Sequence, residues 1–324
     1  MNKHRVSPER IGRVGGLAVA LGVGVGMAAM PWSAAAAPDG SGPNISVSHD
    51  GDVKVVKGTA TAVSDGQGST AVAHGFGSYA EATGGTNNHA IASGTGSTAV
   101  ASGGNNNTAK ATGIRSYAVA VDGSGNTATA TGTGAFAIAA HGDNNTATAT
   151  GTSATATAGG GDNNTAKATG TGAGATAGWH AGYDGPQYDN NGNTAKAFGD
   201  NSSADAGVMG IGNDGNVALA AGPDSTATAG GYGDNNDFNS ATAFGADSTA
   251  YAGGRYGDNN WNNSATATQG ALALAGTGGD SNDANTASAT GAGSIAAAGT
   301  TTTDESNLDG YTATASGGDV VHNP

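Results

Sequence analysis

His141–Gly170 reads HGDNNTATATGTSATATAGGGDNNTAKATG. The hexapeptide GDNNTA begins at Gly142 and again at Gly161, nineteen residues on, each time followed by alanine alternating with a larger residue. Outward from this stretch, the first alanine of each such unit falls at Ala90, Ala109, Ala128, Ala147 and Ala166, in steps of nineteen. A second series, Ala80, Ala99, Ala118, Ala137, Ala156 and Ala175, keeps the same step at an offset of nine or ten. Past an insertion, Ala204, Ala227, Ala250, Ala273 and Ala296 are twenty-three apart, and Ala195, Ala218, Ala241, Ala265 and Ala287 keep nearly that step. Compositional drift does not hold register in this way; stacked repeats do.

Each unit is a five-residue alternation of alanine with Thr, Lys, Val or Tyr, bounded by glycine. That is strand periodicity, and two strands with two turns fill nineteen residues. The alanines must point inward, because Lys110, Lys167 and Lys196 stand between them and do not belong in a dry core. The predicted fold is therefore all-β: a single-chain β-solenoid, a two-faced β-roll of about eleven coils with a 19- then 23-residue period and an alanine-lined core. Composition agrees, since 60 glycines with 5 Phe, 8 Tyr and 3 Trp in 324 residues cannot build an ordinary globular core. With no cysteine, stability has to come from backbone pairing and packing.

Around the array, residues 1–36 read as a secretory signal peptide: four basic residues by Arg13, an apolar run Val14–Met30, and a small-residue site ending at Ala36. Residues 37–58 read as a linker and a capping hairpin turning at Asp50-Gly51. The solenoid is assigned to 59–299, with inserted turns at 178–193, 230–239 and 253–263, and 300–324 to a degenerate last coil and tail. Removing the leader takes away four basic residues and Glu9, moving the formal charge from −14 to −17. Such a chain repels nucleic acid and anionic lipid, and no membrane span is expected in the mature part.

Two resemblances accompany these features. The leader IGRVGGLAVALGVGVGMAA resembles those of secreted mycobacterial glycine-, alanine- and asparagine-rich proteins. The units SYAVAVDG, STAVASGG and NNTATATG resemble the head repeats of YadA-like trimeric autotransporter adhesins across nearly all of residues 59–317. The second resemblance implies a stacked β-roll, a role at the cell surface and a homo-oligomer. The period is longer than in those heads, and neither a heptad stalk nor C-terminal membrane strands are recognisable.

An asparagine stands two positions before the alanine in ten coils: Asn88, Asn107, Asn126, Asn145, Asn164, Asn193, Asn216, Asn239, Asn263 and Asn285. Stacking predicts one column of amides, each bonding the next. Catalytic chemistry finds no support in the pattern. The histidines share no column or metal-ligand spacing, there is no thiol, and glycine-rich fragments lack the lysine and context of a phosphate loop.

Four non-catalytic features remain. Asp143, Asp162, Asp214, Asp237 and Asp283 recur four residues before the asparagine-type alanine, as solvated turn residues or as a calcium site. The inserts gather Trp179, Tyr183, Tyr188, Tyr232, Phe238, Tyr256 and Trp261 at one corner beside Asn and Asp, either as mutual packing or as a platform for sugar rings. Thr127, Thr129 and Thr131 stand over Thr146, Thr148 and Thr150 in a grid resembling ice-binding solenoid faces, interrupted by Lys167 and Lys196. Tyr117, Val119, Val121, Phe136 and Ile138 form an apolar strip where subunits would meet.

The expected function is thus that of an exported, non-enzymatic solenoid with a structural or adhesive role at the cell surface or outside the cell. Its expected partner is a cell-surface or extracellular ligand, with a glycan- or calcium-binding module as the alternative and ice binding as a remote one.

Overall fold

A computed structural model describes residues 44–179, 189–208, 210–231, 233–253, 257–300 and 308–323. Two sheets run through it, and after the N-terminal hairpin successive strands alternate between them, so each coil contributes one strand to each. The asparagine sheet, named for the residue at its entry corner, has fourteen strands; the serine sheet has thirteen. From Thr70–His74 to Thr312–Ser316 the asparagine sheet is parallel, as is the serine sheet from Thr61–Ser64 to Val320–Asn323. The molecule is all-β, a solenoid of about eleven turns. The two last strands, Thr312–Ser316 and Val320–Asn323, continue both sheets.

Register follows the alanines. Ala128 pairs with Ala147 and Ala147 with Ala166, while Ala137 pairs with Ala118 and Ala156. Across the insertion Ala166 pairs directly with Ala195, so ten extra residues leave the ladder undisturbed. The principal core cluster consists of alanine alone, with Tyr311 and Val321 packed against it. A methyl contributes only about 0.8 kcal/mol on burial, so this core gains from repetition and close approach rather than from large side chains. Lysine and threonine project outward from the same strands, as their alternation requires.

Corners need glycine for a steric reason. At Gly132 φ is +130°, and a Cβ would lie 2.1 Å from the carbonyl oxygen of Gly151 on the next coil. Stacked backbones meet too closely there for any side chain.

The first coil is covered by the hairpin Ile45–His49 and Asp52–Lys57, turning at Asp50 (φ +52°) and Gly51 (φ +81°). Two positive φ values in sequence are the twist-matched type I′ turn. Ile45–His49 pairs antiparallel with Thr70–His74 and closes the asparagine sheet. The serine sheet is closed by side chains: Ala62 N–H donates to Ser46 Oγ at 3.0 Å and Ser64 N–H to Ser48 Oγ at 3.1 Å. Both serines are buried, and the S-V-S alternation therefore supplies acceptors to an edge strand that has no pairing partner beyond it.

Candidate functional site

The ten asparagines form one buried column, but the bonding differs from an amide-to-amide ladder. Each Oδ1 accepts the backbone N–H of the asparagine one coil on: Asn107 to Asn88, Asn126 to Asn107, Asn145 to Asn126 and Asn164 to Asn145, all at 2.9 Å. The series continues through Asn193, Asn216, Asn239, Asn263 and Asn285 to Tyr311. Each Nδ2 donates instead to a corner carbonyl, as Asn126 does to Gly142 at 2.8 Å. Weak amide-to-amide contacts of 3.1–3.2 Å appear only from Asn193 to Asn263. The reason is geometric: the backbone N–H at the corner is buried and needs an acceptor, and the amide oxygen below reaches it first.

A second ladder went unread in the sequence. Asn190, Asn213, Asn236, Asn260 and Asn282 are fully buried, and each Oδ1 accepts the next N–H at 2.7–2.9 Å, ending at Leu308. Its signal was present as N-x-x-N in NNGN, NDGN, NDFN, NWNN and NDAN, beginning at those five asparagines. The corner serines act locally: Ser78, Ser97, Ser202 and Ser225 donate to the glycine carbonyl three residues back.

The aspartates do share a column. Asp143 Oδ1 accepts Ser124 N–H, Asp162 accepts Asp143 N–H, Asp237 accepts Asp214 N–H at 2.7 Å, and Asp283 accepts Trp261 N–H. A parallel column runs through Asp234, Asp258 and Asp280. One carboxylate oxygen of each is thereby engaged by backbone. Among the described residues, no group of three or more His, Asp or Glu side chains is placed to hold a metal ion. Burial pushes the Asp214 carboxyl above its usual range, against the Asn191 N–H bond that lowers it. Asp237 is raised in the same way, against the Asp214 N–H, with the Asp214 charge adding to the rise.

Three of the seven insert aromatics, Trp179, Phe238 and Trp261, fall within the described residues. Tyr183, Tyr188, Tyr232 and Tyr256 lie outside them. Trp179 packs against His141, with ring centroids 6.2 Å apart. Phe238 and Trp261 stack on each other at 6.0 Å with 28° between planes, and each is more than half exposed. Phe238 takes φ +53° and lays its ring over Gly215, where a Cβ would stand 2.8 Å from the ring. Phe238 and Trp261 make a short aromatic ridge at the entry corner of the asparagine sheet.

The sheet faces differ. The threonine grid is in register, Thr127 to Thr146, Thr129 to Thr148 and Thr131 to Thr150, with Lys110 and Lys167 continuing its central column on either side. On the serine sheet, Tyr117 and Phe136 stack at 5.2 Å with 9° between planes. Val119, Val121 and Ile138, expected as an open seam, are only 5, 9 and 4% exposed, and cluster with Ala140. As outward residues of adjacent strands in register they shield one another, which a sequence strip does not reveal. Asp205, on the same sheet, has its carboxyl raised by burial despite hydrogen bonds from Thr176 and Ser203.

No family model matches the chain, and neither a curated protein nor a solved structure matches it significantly. Among the described residues no helix is long and apolar enough to cross a membrane.

Proposed function

We propose that the protein is an exported, non-enzymatic solenoid with a structural or adhesive role at the cell surface or in the extracellular space. The observation that carries this reading is the use made of its corner residues. Asparagine and aspartate side chains, which elsewhere do chemistry, are here committed coil after coil to backbone N–H groups. What is left for function is two patterned faces and a corner ridge. The head-repeat likeness of SYAVAVDG and NNTATATG favours display at the surface and association of copies. Protease shaving of intact producing cells, followed by detection of a tagged chain, tests the reading. Shedding of solenoid fragments or release into the medium supports it; retention of the intact chain inside the cell contradicts it.

The Phe238–Trp261 stack favours a second reading, a glycan-binding module, because two half-exposed rings side by side suit the apolar face of a sugar. A glycan array answers that question, with Trp261→Ala expected to abolish any signal the ridge produces. Calcium as the ligand of the aspartate columns predicts heat on titration of the chelator-treated protein, and no heat removes it.

A further inference from the structure

The outward face of the asparagine sheet has a charge pattern opposite to that of the whole molecule. From Thr70–His74 to Thr312–Ser316 its strands contain no Asp or Glu, although the chain carries a formal charge of −14. The serine sheet, by contrast, bears Glu81 and Asp205. Three lysines stand in the central column of the acid-free face, and two of them, Lys167 and Lys196, are direct partners on adjacent strands. Both are exposed, and among the described residues neither has an ion-pair partner. Like charges placed directly opposite destabilise a sheet, so this pair is a cost to the fold that no acidic side chain on the face offsets.

The surroundings specify what would offset it. Phe198 lies beside the pair, its ring centroid 5.4 Å from Lys167 Nζ. Thr165 and Thr194 line one side, and Thr169 pairs with Phe198 on the other. Two ammonium groups, a ring and flanking hydroxyls are the complement of a sugar with one acidic substituent. There the anion would bridge the lysines, drawing the Lys167 ammonium off the ring so that the C–H face of the pyranose could lie on Phe198, and the ring hydroxyls would meet the threonines.

We propose that Lys167, Lys196 and Phe198, with Thr165, Thr169 and Thr194, form a binding site for a saccharide bearing an isolated carboxylate or sulfate. A densely charged polymer is excluded, because aspartates border the face at both corners. Asp162 at the entry accepts Asp143 N–H, and Asp200 at the exit accepts Thr171 N–H. The proposal deepens the adhesive reading by naming its ligand, and rests on it for a biological role. Its test uses purified protein, so failure here leaves the shaving experiment on cells intact as the test of that reading.

The experiment is saturation-transfer NMR on the full solenoid with cellobiouronic acid, cellobiose 6-sulfate and neutral cellobiose. Transfer to one or both acidic sugars and not to cellobiose is expected, and which one responds identifies the anion. The signal should fall at least about tenfold in Lys167→Gln/Lys196→Gln and weaken at about 0.5 M salt. Lys110→Gln, three coils away in the same column, should leave it unchanged. Threonine occupies that column at Thr129 and Thr148, so the double variant keeps the fold, which a melting temperature equal to or above the parent's would verify. Absence of transfer to both acidic sugars, equal transfer to cellobiose, or full binding by the double variant overturns the proposal.

Discussion

The 19-residue and 23-residue coils share one core and differ at one corner. In the shorter coils a single buried asparagine closes the turn into the asparagine sheet, preceded by an asparagine or glycine at positive φ, such as Asn144 at +58°. The longer coils keep that ladder and build a second one three residues upstream, from Asn190 to Asn282. Added length is accommodated by repeating the capping device, and the alanine register never notices. The duplicate is less complete than the original. Asn190, Asn213 and Asn236 donate through Nδ2 to Gly210, Gly233 and Gly257 carbonyls, but Nδ2 of Asn260 and Asn282 is buried without a partner among the described residues. The longer coils thus become less well satisfied toward the C-terminal end.

The strongest way to erase the difference is to attack what the two regions share. Ala147→Leu in a short coil and Ala241→Leu in a long one replace fully buried methyls facing an all-alanine interior. Overpacking there should cost about 3 kcal/mol or more in both, seen as loss of cooperative thermal unfolding by circular dichroism. A mild effect in either coil would mean that its interior has room that the zero exposure of these alanines denies.

Ladder substitutions should separate the regions. Asn213→Ala strands the N–H of Asn236 and the carbonyl of Gly233, with an expected cost of about 3 kcal/mol. Asn260→Ala strands only the N–H of Asn282 and removes an Nδ2 that has no partner, so about 1 kcal/mol is expected. Chemical denaturation of the two variants side by side measures this, and equal costs would show that the second ladder is uniform.

A smaller contrast comes from pH. Burial raises Asp214 and Asp237, both in long coils, above their unfolded values. A carboxyl raised on folding adds stability in its protonated form, below the unfolded pKa, and loses that contribution as pH rises through the folded one. Asp214→Asn/Asp237→Asn should therefore be more stable than the parent at neutral pH, with the gap closing near the ordinary aspartate value of 3.8. Asparagine can fill the position, since Asn191 Oδ1 already accepts Asp162 N–H in the same column. Melting temperatures across that range check it; a gap that widens on acidification would reverse the assignment.

Trp261→Ala should change stability least, because the ring is 54% exposed and rests on Phe238 alone among the described aromatic groups.

The coil, its two sheets, the inward alanines and the capping hairpin were legible because each rests on a periodicity of short range. Lys110 and Lys167 between alanines were enough to orient a strand. The asparagine column was legible too, though not its bonding, since sequence spacing places Asn126 over Asn107 without saying which atom reaches the corner N–H. The second ladder was hidden by its own context: in NDFN and NWNN the eye takes the aromatic, not the flanking amides. The Tyr117–Ile138 strip is apolar in sequence and outward by alternation, but composition does not show that Val119 and Ile138 shield each other in register. The Lys167–Lys196–Phe198 group was missed because it spans an insertion, twenty-nine residues for one coil step.

The most direct test of in-register stacking uses the absence of cysteine from the chain. Thr129 and Thr148 are direct partners, which places their Cα atoms about 4.8 Å apart, while Thr129 and Lys167 are two coils, about 10 Å, apart. Under mild oxidant Thr129→Cys/Thr148→Cys should close an intramolecular disulfide, and Thr129→Cys/Lys167→Cys should not. Cross-linking of both pairs alike, or of the second pair alone, would contradict a solenoid stacked at the nineteen-residue step.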